Sequence, residues 1–150
     1  MTTIEVEGLD ELRHNFQQFP NEFNRTLKKA MDASLLVVWE NVLPYPAKPE
    51  SDSYIRTGTL GRTLGTGMTG GQIGKPDIYQ VRGMGSGMQE ASFGTRLEYA
   101  PYVIGDEEQA KVHRGRWWTI SKVAERATAK VTKVFVLMAN NLAAFLAKNR

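Results

Sequence analysis

The chain has 150 residues, 41% of them hydrophobic and 23% charged, with a net charge of +3, which is the size and make-up of one globular domain able to bury a core. It contains no cysteine, which excludes disulfides, thiolate metal sites and thiol nucleophiles and leaves the redox compartment open. The opening MTTIEVEGLDEL is acidic, without the basic and apolar regions of a signal peptide, and no apolar run approaches the roughly 20 residues that span a bilayer, so synthesis inside the cell is expected.

The first predicted element is helical. Phe16, Phe19, Phe23, Leu27, Met31, Leu35, Val38 and Val42 recur at steps of three and four, the spacing of one helix face. Pro20 suits a first turn, where its missing N–H costs nothing. The pattern therefore divides at Phe19–Pro20 into a short helix over Leu9–Gln18 and a long one reaching about Leu43, where Pro44 and Pro46 stop it. Asp10 and Glu11 are well placed near the first N-terminus. The run Leu35 to Trp39 is apolar nearly all round, so that end is expected to be packed on two sides, by its own fold or by a neighbouring subunit.

Residues 44–57 hold Pro44, Pro46 and Pro49 and read as a long extended loop. From Gly58 to Gly94 the chain places 11 of its 14 glycines. The β-prone pieces between them, Thr59–Leu64, Ile78–Arg82 and Ala91–Leu97, predict a small antiparallel sheet with long connections. Tyr99–Ile104 reads as one helical turn, and 105–117 as a charged loop. The last element is a helix over about Thr119–Lys148, roughly 45 Å long at 1.5 Å per residue. Its apolar face is Ile120, Val123, Ala127, Val131, Val134, Met138, Leu142 and Phe145, and an adjacent face carries Lys122, Arg126, Lys130 and Lys133. The fold class that follows is α+β: long N- and C-terminal helices packed on a small antiparallel sheet, with long Gly/Pro-rich loops, in a single domain over 1–150.

Charge is divided along the chain. Residues 1–108 carry 10 Lys/Arg against 15 Asp/Glu, whereas 109–150 carry 9 Lys/Arg and Glu125 alone among acids. Such asymmetry fits an acidic partner, nucleic acid or another copy of the chain, or else neutralisation within the fold.

Candidate chemistry is sparse. Residues 65–70, GTGMTG, spell G-x-G-x-x-G, but a dinucleotide loop needs a preceding strand and a helix N-terminus to hold the pyrophosphate. Here Gly71, Gly74 and Pro76 follow, and such residues do not begin a stable helix. His14 and His113 are far apart, and Asp106, Glu107 and Glu108 lack the spacing of a calcium loop, so they read as a solvated acidic turn. No catalytic residue, cofactor site or metal site is assigned. The segment 111–118, KVHRGRWW, interleaves base and aromatic and precedes the basic stripe. Phosphate neutralisation plus stacking on Trp117 and Trp118 is a mechanism for single-stranded nucleic acid. The favoured alternative is that both tryptophans anchor the loop-to-helix junction while the cations form a solvated face.

Leading helices, then Arg56-Thr-Gly-Thr-Leu-Gly-Arg-Thr-Leu64, then Tyr99-Ala-Pro-Tyr-Val103, then a charged loop and a C-terminal helix form an order that resembles the head–tail connection proteins (neck, minor tail or tail-completion components) of long-tailed bacteriophages. In that family a Thr-Gly-x-Leu element opens the sheet and a Tyr-Ala-x-Tyr-Val element follows the last core strand. Many members continue with Glu and then Gly-Thr, where this chain has Ile104-Gly105-Asp106. The resemblance covers most of the chain. It implies a structural, non-enzymatic virion protein at the head–tail junction, present in host cytoplasm during assembly. Its partners would be copies of itself in a ring and neighbouring connector, tail-terminator or tail-tube proteins, with contact to packaged DNA possible and no membrane. The interaction residues expected are Thr57, Gly58, Leu60, Tyr99, Tyr102, Arg114, Arg116, Trp117, Trp118, Lys122, Arg126, Lys130 and Lys133. Loops 44–57, 65–75 and 105–116 are expected to be mobile until assembly.

Overall fold

A computed structural model describes residues 2–85 and 87–149. An extended arm at 2–7 alternates half-buried Ile4 and Val6 with exposed Glu5 and Glu7. Helix α1 (Leu9–Asn15) has Asp10 and Glu11 in its first turn and Arg13 and His14 in its last, the charge order that the helix dipole favours. It ends at Phe16, which is almost fully buried. Helix α2 (Pro20–Glu40) starts on Pro20 as expected and stops at Asn41, whose side-chain amide donates to the Val37 carbonyl at 2.7 Å. The helix therefore ends three residues before its predicted limit, because Asn41 satisfies a terminal carbonyl.

Helix α3 (Thr59–Thr63) occupies the place of the first predicted strand. Threonine favours strands, but Leu60, its neighbour Gly61 and Leu64 are all buried. One helical turn puts positions i, i+1 and i+4 on one side, whereas a strand would turn 60 and 61 to opposite faces. The Thr57–Leu60 stretch consequently leads into a helix and not into the sheet. Two strands remain, β1 (Ile78–Gly83) and β2 (Gln89–Gly94), paired antiparallel from Ile78 opposite Gly94 to Gly83 opposite Gln89. The second begins and ends earlier than its predicted 91–97 range. Helix α4 (Ala100–Ile104) is the expected turn, and helix α5 (Ile120–Lys148) runs to within two residues of the C-terminus.

The long helices pack antiparallel. At one end Phe23, Leu27 and Ala30 of α2 meet Ala127, Val131, Phe135, Met138 and Leu142 of α5, and Phe16 closes the cluster. The Phe19 and Phe145 rings meet edge-on with centroids 5.2 Å apart. At the other end Val42, Leu60, Leu64, Ala100, Ile104, Trp117 and Val123 form a second cluster. The hairpin lies along α2, where Trp39 meets Tyr79 at 5.4 Å and the Gln89 amide donates to the Asn24 carbonyl at 3.4 Å. The end of α2 is thus covered on two sides by its own fold, as its apolar run predicts, while Leu36 stays 41% exposed. The fold class is α+β, with both α5 and the sheet resting on α2.

By length and mean hydropathy α5 alone among the described helices could cross a membrane, although no uninterrupted apolar run of that length exists. Its buried residues form one stripe against α1 and α2, and Lys133, Asn140 and Asn141 lie exposed on the remainder. Hydrocarbon would leave those polar groups unpaired; the geometry is that of a core helix with one open face.

Candidate interaction face

The two segments that carry the resemblance meet in space. Leu60 and Leu64 pack with Ala100, Val103 and Ile104 in the second cluster, and beside them opens a groove of about 200 Å³ lined by Tyr45, Tyr54–Leu60, Tyr99, Val103, His113 and Trp117. Local chemistry explains why the chain turns there. Gly58 takes a left-handed backbone (φ 69°), a conformation that costs other residues a Cβ clash. Thr57 and Thr59 share a hydroxyl hydrogen bond of 2.9 Å, and Arg62 returns to the Thr57 carbonyl at the same distance. A Cβ on Gly61 would come within 2.8 Å of the Thr66 carbonyl and 3.3 Å of the Tyr45 hydroxyl. The Gly61 amide donates to that hydroxyl at 2.6 Å. Burial, opposed by that hydrogen bond, raises the Tyr45 pKa and keeps the phenol protonated.

Residues 44–58 form a strap over Trp117. Arg56 is its centre: Nε and Nη2 donate to the Tyr54 hydroxyl at 3.2 and 3.1 Å, and Nη1 donates to the Pro46 carbonyl. Its guanidinium lies 5.7 Å from the Tyr54 ring centre and 5.6 Å from that of Trp117, and each such contact is worth about 0.5–1 kcal/mol when exposed. The Tyr45 ring also meets Trp117, tilted at 59° with centroids 4.8 Å apart. Asp52 pairs with Arg116 at 3.0 Å, with both side chains about one-third exposed, and the Trp118 indole donates to the Pro44 carbonyl at 3.0 Å. At the crest of this fastened strap Ile55 is 88% exposed.

The loop 105–117 is internally bonded. Buried Gln109 donates to the carbonyls of Val103 and Trp117 at 2.8 and 3.2 Å, and Arg114 donates to the Gln109 carbonyl at 2.9 Å. Asp106 is not merely solvated. Its carboxylate accepts from the Thr2 hydroxyl at 2.9 Å and from the Ser121 amide at 3.4 Å, tying the arm to the start of α5. Partial burial works to raise its pKa, but hydrogen bonds from Ser121, Thr119 and Thr2 outweigh this and hold it below the ordinary value. His113 is pushed the other way from charge: burial, then Arg116 and Arg56, lower its pKa and keep the imidazole neutral.

Of the expected interaction residues, Thr57, Gly58, Leu60, Tyr99 and Trp117 line one groove. Tyr99 and Tyr102 are 44% and 56% exposed, while Trp117 is 9% exposed and holds the groove floor. Arg114 and Arg116 fasten the loop, and half-buried Trp118 fastens the strap, so both tryptophans anchor the junction. Lys122 pairs with Glu125 at 3.2 Å. Arg126, Lys130 and Lys133 are exposed and make no ion pair among the described residues. Sequence reasoning did not assign Tyr45, Tyr54, Ile55, Arg56 or His113 to the site. Two tyrosines and an arginine in a proline-rich loop were the available signal.

The GTGMTG segment closes a small loop. Thr66 bridges Gln72, Gly67 donates to the Gly71 carbonyl at 3.1 Å, and Tyr45 donates to the Met68 carbonyl at 2.8 Å. The next element in the chain is β1, not a helix. Among the described residues no group of three or more His, Cys, Asp or Glu side chains could hold a metal ion. Comparison with protein-family models, with curated proteins and with solved structures gives no match.

Proposed function

We propose that this chain is a structural protein of a tailed bacteriophage particle, joining head to tail as one subunit of a ring between the portal or connector and the tail tube. The observation that carries this reading is the meeting of Thr57–Leu64 with Tyr99–Val103 around one groove. The two segments are about forty residues apart in the chain, and they are the ones through which the sequence resembles head–tail connection proteins. The groove's character suits a protein partner. Its tyrosines are amphipathic, it holds no charge constellation for catalysis, and the Ile55 side chain projects beside it from a strap already fastened at Arg56 and Asp52. A fastened knob loses little freedom on docking, which lowers the cost of assembly.

The deciding experiment is deletion of the gene in its phage or prophage. The expected result is DNA-filled heads and finished tails that fail to join, rescued by the wild-type chain and less well by Ile55→Asp. Normal joined particles after deletion would rule the reading out.

A second reading, a nucleic-acid-binding module, is favoured by the exposed, unpaired Arg126, Lys130 and Lys133 on α5. Trp117 is buried and Trp118 is tied to Pro44, so the stacking partners such a module uses are committed elsewhere. Salt-dependent binding of single-stranded DNA that Lys130→Glu abolishes would favour this second reading, and no binding at low ionic strength would end it.

A further inference from the structure

The outward faces of the two long helices are complementary. On α2, Asp32, Leu36 and Glu40 follow at steps of four on the side turned away from α5. Leu36 is 41% exposed, and Tyr79 of β1, 38% exposed, stands beside the ridge. Burial and then the Asp32 and Glu40 carboxylates raise the Tyr79 pKa. Asp32 is paired with Lys28 at 2.8 Å, but Glu40 makes no ion pair among the described residues. Glu40 is also the last residue of α2, which has no basic residue in its final turn. An anion is disfavoured at that end of a helix.

On α5, off its buried stripe, Lys133, Leu137 and Asn141 follow at the same step of four, with Arg126 and Lys130 before them. Leu137 is 62% exposed and its neighbour Val136 53% exposed. The open face thus changes from basic to apolar along its length. Bare leucine and valine suit a protein surface better than a phosphate backbone.

We infer that the α5 ridge Lys133–Leu137–Asn141 of one copy docks on the α2 ridge Asp32–Leu36–Glu40 of a second copy. Crossing antiparallel with Leu137 on Leu36, the helices set Lys133 against Glu40 and Asn141 against Asp32. Lys130 then approaches the carbonyl end of α2, where a cation is favoured. Because the two ridges lie on opposite sides of the α2–α5 pair, each copy offers one to each neighbour. Such a heterologous contact closes into a ring when the rotation allows. Pairing α5 with α5 instead would bring no carboxylate but Glu125 to three cations.

This contact rests on the ring reading above, but it can fail separately. The natural chain has no cysteine, so Leu36→Cys and Leu137→Cys report the contact directly. After oxidation at high protein concentration, the double variant is expected to give a ladder of cross-linked multimers and each single variant to stay monomeric. Lys133→Glu in the double variant is expected to reduce the ladder about tenfold, and adding Glu40→Lys to restore it. Unchanged helical circular dichroism shows that the reversals still fold. A dimer from Leu137→Cys alone, no ladder at all, or a ladder indifferent to charge reversal would each overturn the contact. If the deletion phenotype holds while the ladder is missing, only this contact falls. A ladder from a chain whose deletion leaves particles joined retains the contact and removes the head–tail reading.

Discussion

Helices α2 and α5 begin from the same sequence signal, an apolar residue every third or fourth position, and end in different surroundings. Helix α2 is covered by α5 on one side and by the hairpin on another. Helix α5 packs its stripe against α1 and α2 and keeps the remainder open, with Val136 and Leu137 more than half exposed. Periodicity specifies which stripe is buried; it does not specify what lies against the rest. The added bulk of Leu35, Val37, Val38 and Trp39 distinguishes the doubly covered helix. The alternation of cation and small apolar residue distinguishes the open one.

Substitutions can break this comparison or sharpen it. The largest effect is expected from Phe23→Ala, which empties the interface shared by both helices and should cost about 3–5 kcal/mol in urea unfolding. Leu137→Ala on the open face should stay within about 0.5 kcal/mol in the same measurement; equal losses would show that α5 has no open face. Next is Gly61→Ala, whose methyl group meets backbone carbonyl and tyrosine hydroxyl. A loss of about 1–3 kcal/mol is expected, with amide protection falling at the far end of α2 and α5 as well as around the groove.

Asp106→Asn should cost about 0.3–1 kcal/mol at neutral pH, the size of one carboxylate at a helix N-terminus. Because the folded pKa of Asp106 is lowered, its contribution is present above the unfolded value and disappears as pH falls through the folded one. Wild type and variant should therefore converge in acid, and a gap that persists there would assign the effect to something other than charge. The smallest effect concerns His113. Its folded pKa is lowered, so the unfolded chain takes the proton first, and stability should fall modestly as pH drops below about 6.5. His113→Gln should flatten that slope, and a wild-type slope already flat would mean that the ring is not held neutral.

Much of the fold was legible because it rests on long repeats of spacing. Pro20 gave the start of α2, and β propensity placed β1 to within one residue and β2 two to three residues too late in the chain. Thr59–Leu64 was misread because its two threonines favour a strand and the Leu60–Leu64 step of four fits a strand face as well as a helical turn. The strap was illegible for another reason. Its fastening joins Asp52 to Arg116 and Arg56 to Trp117 across some sixty residues, and no local pattern encodes such pairs. Burial of Trp117 could be anticipated from its place at a loop-to-helix junction. The role of Tyr54 and Arg56 could not, since a proline-rich segment has no period from which to read a face.

Val38 packs against both hydrophobic clusters, and α5 supplies Val123 to one and Ala127 to the other, a single turn apart. The two ends of the molecule therefore share a wall. Slack created at the groove is passed along a continuous rod to the phenylalanine end, and the reverse holds as well. Such a body is expected to melt as one cooperative unit, and not to open from one side first.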